Sequence, residues 1–445
     1  MPFGEAPRLA RYAGWLWLPL GVLLLAPWPL FQVPLPERGV PIFWLCLAGA
    51  MVIAAIVARV SWPLAALFVW SFWRPIWNGI EIHPTSLQAG ALVTDGSRGR
   101  ALQLLVLVGL AGLLYLAARD ISPRGARWVA YAFLVGLAWE FAFGYLNLWK
   151  VYPWMSFVVP EHIGRPMGFL THPNYWGSLM ALGLPIVLSL GGILPAVAVF
   201  AVICASYSGG PVISAAAGAG LLAWPELSRR ARYWLVGGLS GAVAVVMTVH
   251  EWRLSGRREV WAAIWPELTR FPVIGQGLGS WRVWADHYNA KLSTATGKYE
   301  IFATLQAHNE PYQLWFELGL IGVFLAALWA LQAGLASWIT WGSAATRGEA
   351  PTRAWWQPGR VPLERAFVAV LAAGVVNALG SPTFHLPAQA ALMLFALARV
   401  QAHAAAALAA TAAAEARSEH WRAPTPSLPK NGAVRRAAPA APRGR

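Results

Sequence analysis

The residues best suited to chemistry lie where the chain leaves a long polar stretch for an apolar one, at Gln306-Ala307-His308-Asn309-Glu310-Pro311-Tyr312-Gln313, which runs on through Leu314 to Gly322. A histidine at such a boundary can gain or lose a proton near neutral pH, which few of its surroundings can do. Pro311 favours a helix that begins near Asn309 or Glu310 and so leaves His308 at the positive end of the helix dipole. That field favours the neutral imidazole, the form that accepts a proton. Asn309, Gln313 and Glu317 follow four residues apart, share one helix face, and could orient the site or a sugar hydroxyl. Spacing alone also leaves open an interfacial histidine that bonds only to lipid head groups or loop carbonyls.

Two further runs carry suitable groups. In Gly164-Arg165-Pro166-Met167-Gly168-Phe169-Leu170-Thr171-His172-Pro173-Asn174-Tyr175-Trp176, Pro173 fits an early helix position, with Thr171 or His172 near the cap and Asn174 just inside. Arg165 would then hang above a helix N-terminus, either as part of an anion site or as a loop anchor. Residues 256–269 place Val260, Trp261, Ile264, Trp265 and Leu268 at helical spacing opposite Arg258, Glu259 and Glu267. That pattern predicts an amphipathic helix lying in a membrane interface, with Arg257 at its N-terminal end near the lipid phosphates. Its continuation, Phe271 to Trp281, has three glycines, but no strand precedes them and their spacing does not fit a nucleotide loop. A sharp turn back over the membrane surface is expected there.

These groups must be positioned by a scaffold of apolar helices. The 445 residues are 58% hydrophobic and only 12% charged, with 27 Trp and a mean hydropathy of +0.50, which points to an all-α, polytopic membrane protein. Runs long enough to span occur at about 13–33, 41–60, 62–79, 101–118, 127–147, 176–190, 192–207, 209–225, 232–250, 313–341, 363–382 and 385–402. The first is too long, and too poorly followed by a cleavage site, for a removed signal peptide. Twelve spans with both termini inside put Arg8, Arg11, Arg59, Arg119, Arg124, Arg127, Arg229, Arg230, Arg232, Arg347, Arg353 and Arg360 on the cytoplasmic side, as the positive-inside rule requires. The same assignment leaves about 80–100, 148–175 and 251–312 outside. The last of these holds Arg253, Arg257, Arg258, Arg270, Arg282, Lys291 and Lys298, more than orientation needs. Long loops translocate whatever their charge, so these are either neutral in meaning or a set for an anionic head group.

Residues 1–402 are thus expected to form one transmembrane unit, and the Ala-, Pro- and Arg-rich stretch 403–445 a disordered basic tail. The net charge of +15 has no soluble basic domain to serve, which argues against nucleic acid. Cys46 and Cys204 both fall in expected spans, so neither a disulfide nor a metal framework is indicated.

Three motifs in order, GRPMGFLTHPN (164–174), SGRREVW (255–261) with PVIGQGLGSW (272–281), and HNEPYQLWFELGLIG (308–322), resemble the O-antigen ligase/polymerase family of bacterial inner-membrane glycosyltransferases. The similarity extends over about 125–400. It implies about twelve spans with a large periplasmic loop, a donor glycan on undecaprenyl diphosphate, and neither cofactor nor metal. Matched residue by residue, it implies that His308 is the essential loop histidine and Arg257 the loop arginine, with Arg258 adjacent. Arg165 matches the arginine of the earlier external loop, where Arg74, Arg98 and Arg100 compete for the role.

The reaction that fits residues and resemblance together is transfer of a polysaccharide to a sugar hydroxyl of lipid A–core, with His308 as general base and Arg257 and Arg165 on the diphosphate. The same motifs fit a polymerase that extends a lipid-linked glycan, or a protein O-oligosaccharyltransferase. A transporter or flippase needs ionisable groups at mid-membrane depth and an internal repeat. Glu140 and Arg74 are the only hints of the former, and no repeat is seen.

Overall fold

Ser122 and Pro123 start a helix as their residue types dictate: the serine Oγ accepts from Gly125 N at 3.1 Å, and the proline occupies a position whose missing N–H has no partner to lose. This helix is α1 (Pro123–Leu148) in a computed structural model that describes Tyr115 and residues 118–149, 164–168, 172–249, 257–276, 280–281, 307–346, 358, 361–381, 383 and 387–422. It is followed by α2 (Pro173–Gly191), α3 (Ile193–Ala205), α4 (Gly209–Ala223), α5 (Arg229–Val249), α6 (Arg257–Arg270), α7 (Glu310–Thr346), α8 (Leu363–Ala378) and α9 (Pro387–Arg422). Among the described residues 86% are helical and none is in a strand, which makes this part of the chain all-α. The expected spans before residue 115, external segment 80–100, Cys46, Arg74, Arg98 and Arg100 lie outside the described residues, as do 282–306 and 423–445.

Among the described residues three helices, α1, α7 and α9, are long and apolar enough to cross a membrane. Helices α3 and α4 are apolar but only 13 and 15 residues long, about 20 Å of helix against a hydrocarbon layer of about 30 Å. Helix α2 lies at the centre. Its residues Leu179, Met180, Ala181, Leu182 and Ile186 are almost wholly buried, as expected of a helix apolar on every side. It packs against α4 and α8, and small residues let the backbones approach: Gly183 meets Leu137, Gly218 lies between Pro185 and Ala373, and Gly374 meets Met393. Phe133 and Phe367 both abut Phe395, joining α1 and α8 to α9.

Two elements depart from expectation. The last span does not end near residue 402: α9 continues as helix to Arg422, so residues 403–422 are ordered where an irregular tail was expected. Ala is the best helix former, and the run of alanines after His403 extends the helix without needing a packed face. The span expected over 313–341 is broken. Gly319 has φ 67° and ψ −172°, which divides α7 into a short N-terminal piece and a long apolar one.

The break is filled by the turn after α6. Leu320 N donates to Pro272 O at 2.8 Å, Ile321 N to Val273 O at 3.2 Å, and Gln276 N to Phe316 O at 2.8 Å. Residues 272–276 therefore wedge into α7, and their peptide groups replace helical bonds lost at Gly319. Non-helical backbone inside an apolar helix is tolerated where protein satisfies its polar groups in this way.

Candidate functional site

Asn309 caps α7: its Oδ1 accepts from Tyr312 N at 3.0 Å, and Glu310 places an acidic group in the first turn. His308 precedes the cap with φ +52°, a left-handed conformation that costs a non-glycine residue about 1–2 kcal/mol. The neighbouring peptide is held on both sides. Ala307 N donates to Gln313 Oε1 at 2.9 Å, and Ala307 O accepts from Trp261 Nε1 at 2.9 Å. Gln313 Nε2 in turn donates to Glu317 Oε1 at 3.0 Å. Gln313 and Glu317 are buried, and through Ala307 N the pair braces the turn that carries His308.

The His308 ring lies over Tyr175, with centroids 6.4 Å apart and planes within 24°. On Tyr175 also rests His172, at 4.5 Å. His172 is the cap of α2, and its Nδ1 accepts from Asn174 N at 3.2 Å. Its Nδ1 thus takes the place of the side-chain oxygen that usually caps a helix. The first turns of α2 and α7 therefore meet in a row of three partly exposed rings.

Arg165 reaches this region from the loop before α2. Its Nε and Nη2 donate to Ser206 O at 3.0 and 2.6 Å, at the carbonyl end of α3 where a cation is favoured. Ser208 links onward, since its Oγ lies 3.5 Å from Arg165 Nη2 and donates to Asn174 Oδ1. Partial burial lowers the guanidinium pKa from its ordinary value, which still leaves it a cation. One edge of Arg165 is thus committed to the α3–α4 turn, while Nη1 carries no hydrogen bond among the described residues. The arginine is both a loop anchor and a charge beside the α2 cap. The loop is seated by Met167, fully buried, and by Gly168, which packs against the Glu140 side chain and Trp176. Trp176 Nε1 donates to Glu140 O at 2.9 Å.

Arg257 and Arg258 are the first two residues of α6. That helix is fastened to the head of α7: Tyr312 O–H donates to Trp261 O at 2.8 Å, Trp265 meets Trp315 edge to face at 5.8 Å, and Trp315 Nε1 donates to Pro272 O at 3.0 Å. Trp281, fully buried, packs edge-on to both Tyr312 and Phe316. The start of α6 accordingly stands one helical turn before the contact with Ala307. Tyr175 and the buried amides of Asn377 and Gln389 beneath it are not among the residues expected from sequence. The first has a weak local signal, an aromatic three residues beyond His172, and the other two have none. Among the described residues no three His, Cys, Asp or Glu side chains gather as a metal-ligand set.

No protein-family model matches the chain, and no curated protein matches it significantly.

Proposed function

We propose that the chain is a bacterial inner-membrane glycosyltransferase of the O-antigen ligase type, moving polysaccharide from undecaprenyl diphosphate to a sugar hydroxyl of lipid A–core at the periplasmic face. About twelve spans, with both termini cytoplasmic, belong to this reading. The observation that carries it is the convergence of His308, on a braced and strained turn, with the ring row and the Arg165–Ser208–Asn174 chain at the helix heads.

His308 takes the proton from the acceptor hydroxyl as its oxygen attacks the anomeric carbon. The new glycosidic bond forms while the bond from that carbon to the diphosphate oxygen breaks, and undecaprenyl diphosphate leaves with the electron pair. Arg257 and Arg165 stabilise the charge that grows on the departing diphosphate. A single displacement inverts the anomeric centre. The brace through Gln313 and Trp261 holds the base in one place, which matters because misplacement by about 1 Å can cost on the order of a hundredfold in rate.

The test is reconstitution in nanodiscs with undecaprenyl-diphosphate-linked glycan and lipid A–core, products being resolved by gel and mass spectrometry. Glycan on lipid A–core is the expected product. Lengthened lipid-linked glycan would instead make the protein a polymerase, and translocated but chemically unchanged donor would make it a transporter.

A further inference from the structure

Beneath the ring row lies a buried polar cluster. Asn377, one residue before the end of α8, is 1% exposed. Its Oδ1 accepts from Ser178 Oγ of α2 at 2.9 Å, and its Nδ2 donates to Thr383 Oγ1 at 2.8 Å and to Gln389 Oε1 at 3.4 Å. Gln389, fully buried at the start of α9, donates its own Nε2 to Tyr175 O at 2.9 Å. Two residues beyond Asn377, Leu379 O accepts from Asn309 Nδ2 at 3.3 Å. The chain around Asn377 thus touches the site twice: through Gln389 it holds the backbone of Tyr175, and through Leu379 it holds the cap beside His308.

Replacing a whole buried polar cluster by hydrocarbon of the same shape can be nearly neutral for stability, so stability alone does not account for this one. What a satisfied network adds is a single relative position for the elements it joins. The elements joined are α2, α8 and α9, and through Asn309 the first turn of α7. Their heads carry His172, Tyr175 and His308.

We infer that Asn377 is a positioning residue for the His308 site, setting the register between the first turns of α2 and α7. The inference rests on the transferase reading for its kinetic consequence, but its structural consequence is independent of any reaction. The experiment uses the full chain in nanodiscs, comparing wild type, Asn377→Leu and the milder Thr383→Val, which keeps the volume and removes one partner hydroxyl. Two quantities are read: kcat and KM for lipid A–core, and the imidazole resonances of isotope-labelled histidine, with His308 assigned by its loss in His308→Ala. In Asn377→Leu, kcat is expected to fall on the order of tenfold to a hundredfold with KM unchanged, because register affects the reacting geometry and not ground-state binding. A smaller fall is expected in Thr383→Val. The His308 resonance should move in both variants while that of His403, bonded to Ser343 on α7 far from the site, stays in place. An unmoved His308 resonance with unchanged kcat overturns the inference, and so does displacement of every histidine, which marks general loosening. If the wild-type protein transfers no glycan, the transferase reading fails, and the His308 resonance alone then upholds or overturns the positioning role.

Discussion

Gly275 and Gly319 interlock: a Cβ on either would collide with the other residue's backbone or with its immediate neighbours, and both have positive φ, 69° and 67°. The turn after α6 can enter the break in α7 only because neither residue has a side chain. This contact joins the helix that begins with Arg257 to the helix headed by His308.

Gly319→Ala and Gly275→Ala should each destabilise by more than the roughly 1–2 kcal/mol of a left-handed alanine, because the atoms in the way are backbone and cannot swing aside. Gly334→Ala, on the same helix with nothing near it, should be neutral or slightly stabilising, as alanine favours a helix by about 1 kcal/mol over glycine. Thermal unfolding of the three variants in detergent checks both expectations.

The seat of His308 makes a second prediction. Gln313→Leu strands Ala307 N–H in a buried position, at a cost of about 1–3 kcal/mol, and should lower transfer more than it lowers stability. Glu317→Gln keeps an oxygen for Gln313 Nε2 and should be tolerated. Comparing transfer rates with melting temperatures for the pair separates the bracing role from a direct one.

Much of this was legible beforehand, and what was not has a physical cause. Pro311, Asn309 and Glu310 mark the start of α7 by local rules, and Pro173 with His172 marks α2 in the same way. The helix over Arg257–Arg270 follows from its amphipathic pattern. The break at Gly319 is hidden because FELGLIG reads as unbroken apolar helix, and only the distant Val273 and Pro272 carbonyls make the break favourable. The Asn377 cluster is hidden for a related reason. Its partners Ser178, Thr383 and Gln389 are scattered along the chain and meet only after α2, α8 and α9 pack. The length of α9 is hidden because alanine and arginine suit a helix and a solvated coil alike.

Trp261→Phe keeps the ring and removes the indole N–H that binds Ala307 O, and Tyr312→Phe removes the hydroxyl that binds Trp261 O. Each loss is worth about 0.5–1.5 kcal/mol. Hydrogen exchange should rise in the first turns of α6 and α7 in both variants and stay unchanged in α2 and α8.

Arg165→Lys keeps the charge but not the planar fork that bonds Ser206 O through two nitrogens. It should not restore function. KM for the lipid-linked donor should rise and the loop over Gly164–Gly168 should become sensitive to protease, whereas a residue acting only as a charge would be replaced by lysine without loss.

The central claim is that His308 is the general base, and it is tested most directly by single-turnover transfer in nanodiscs for wild type and His308→Ala, with donor binding measured on the same samples. The expected result is a loss on the order of a hundred- to ten-thousand-fold in the rate of transfer, with donor affinity retained. A His308→Ala protein that transfers glycan at the wild-type rate, or that loses activity only because it no longer binds donor, would contradict it.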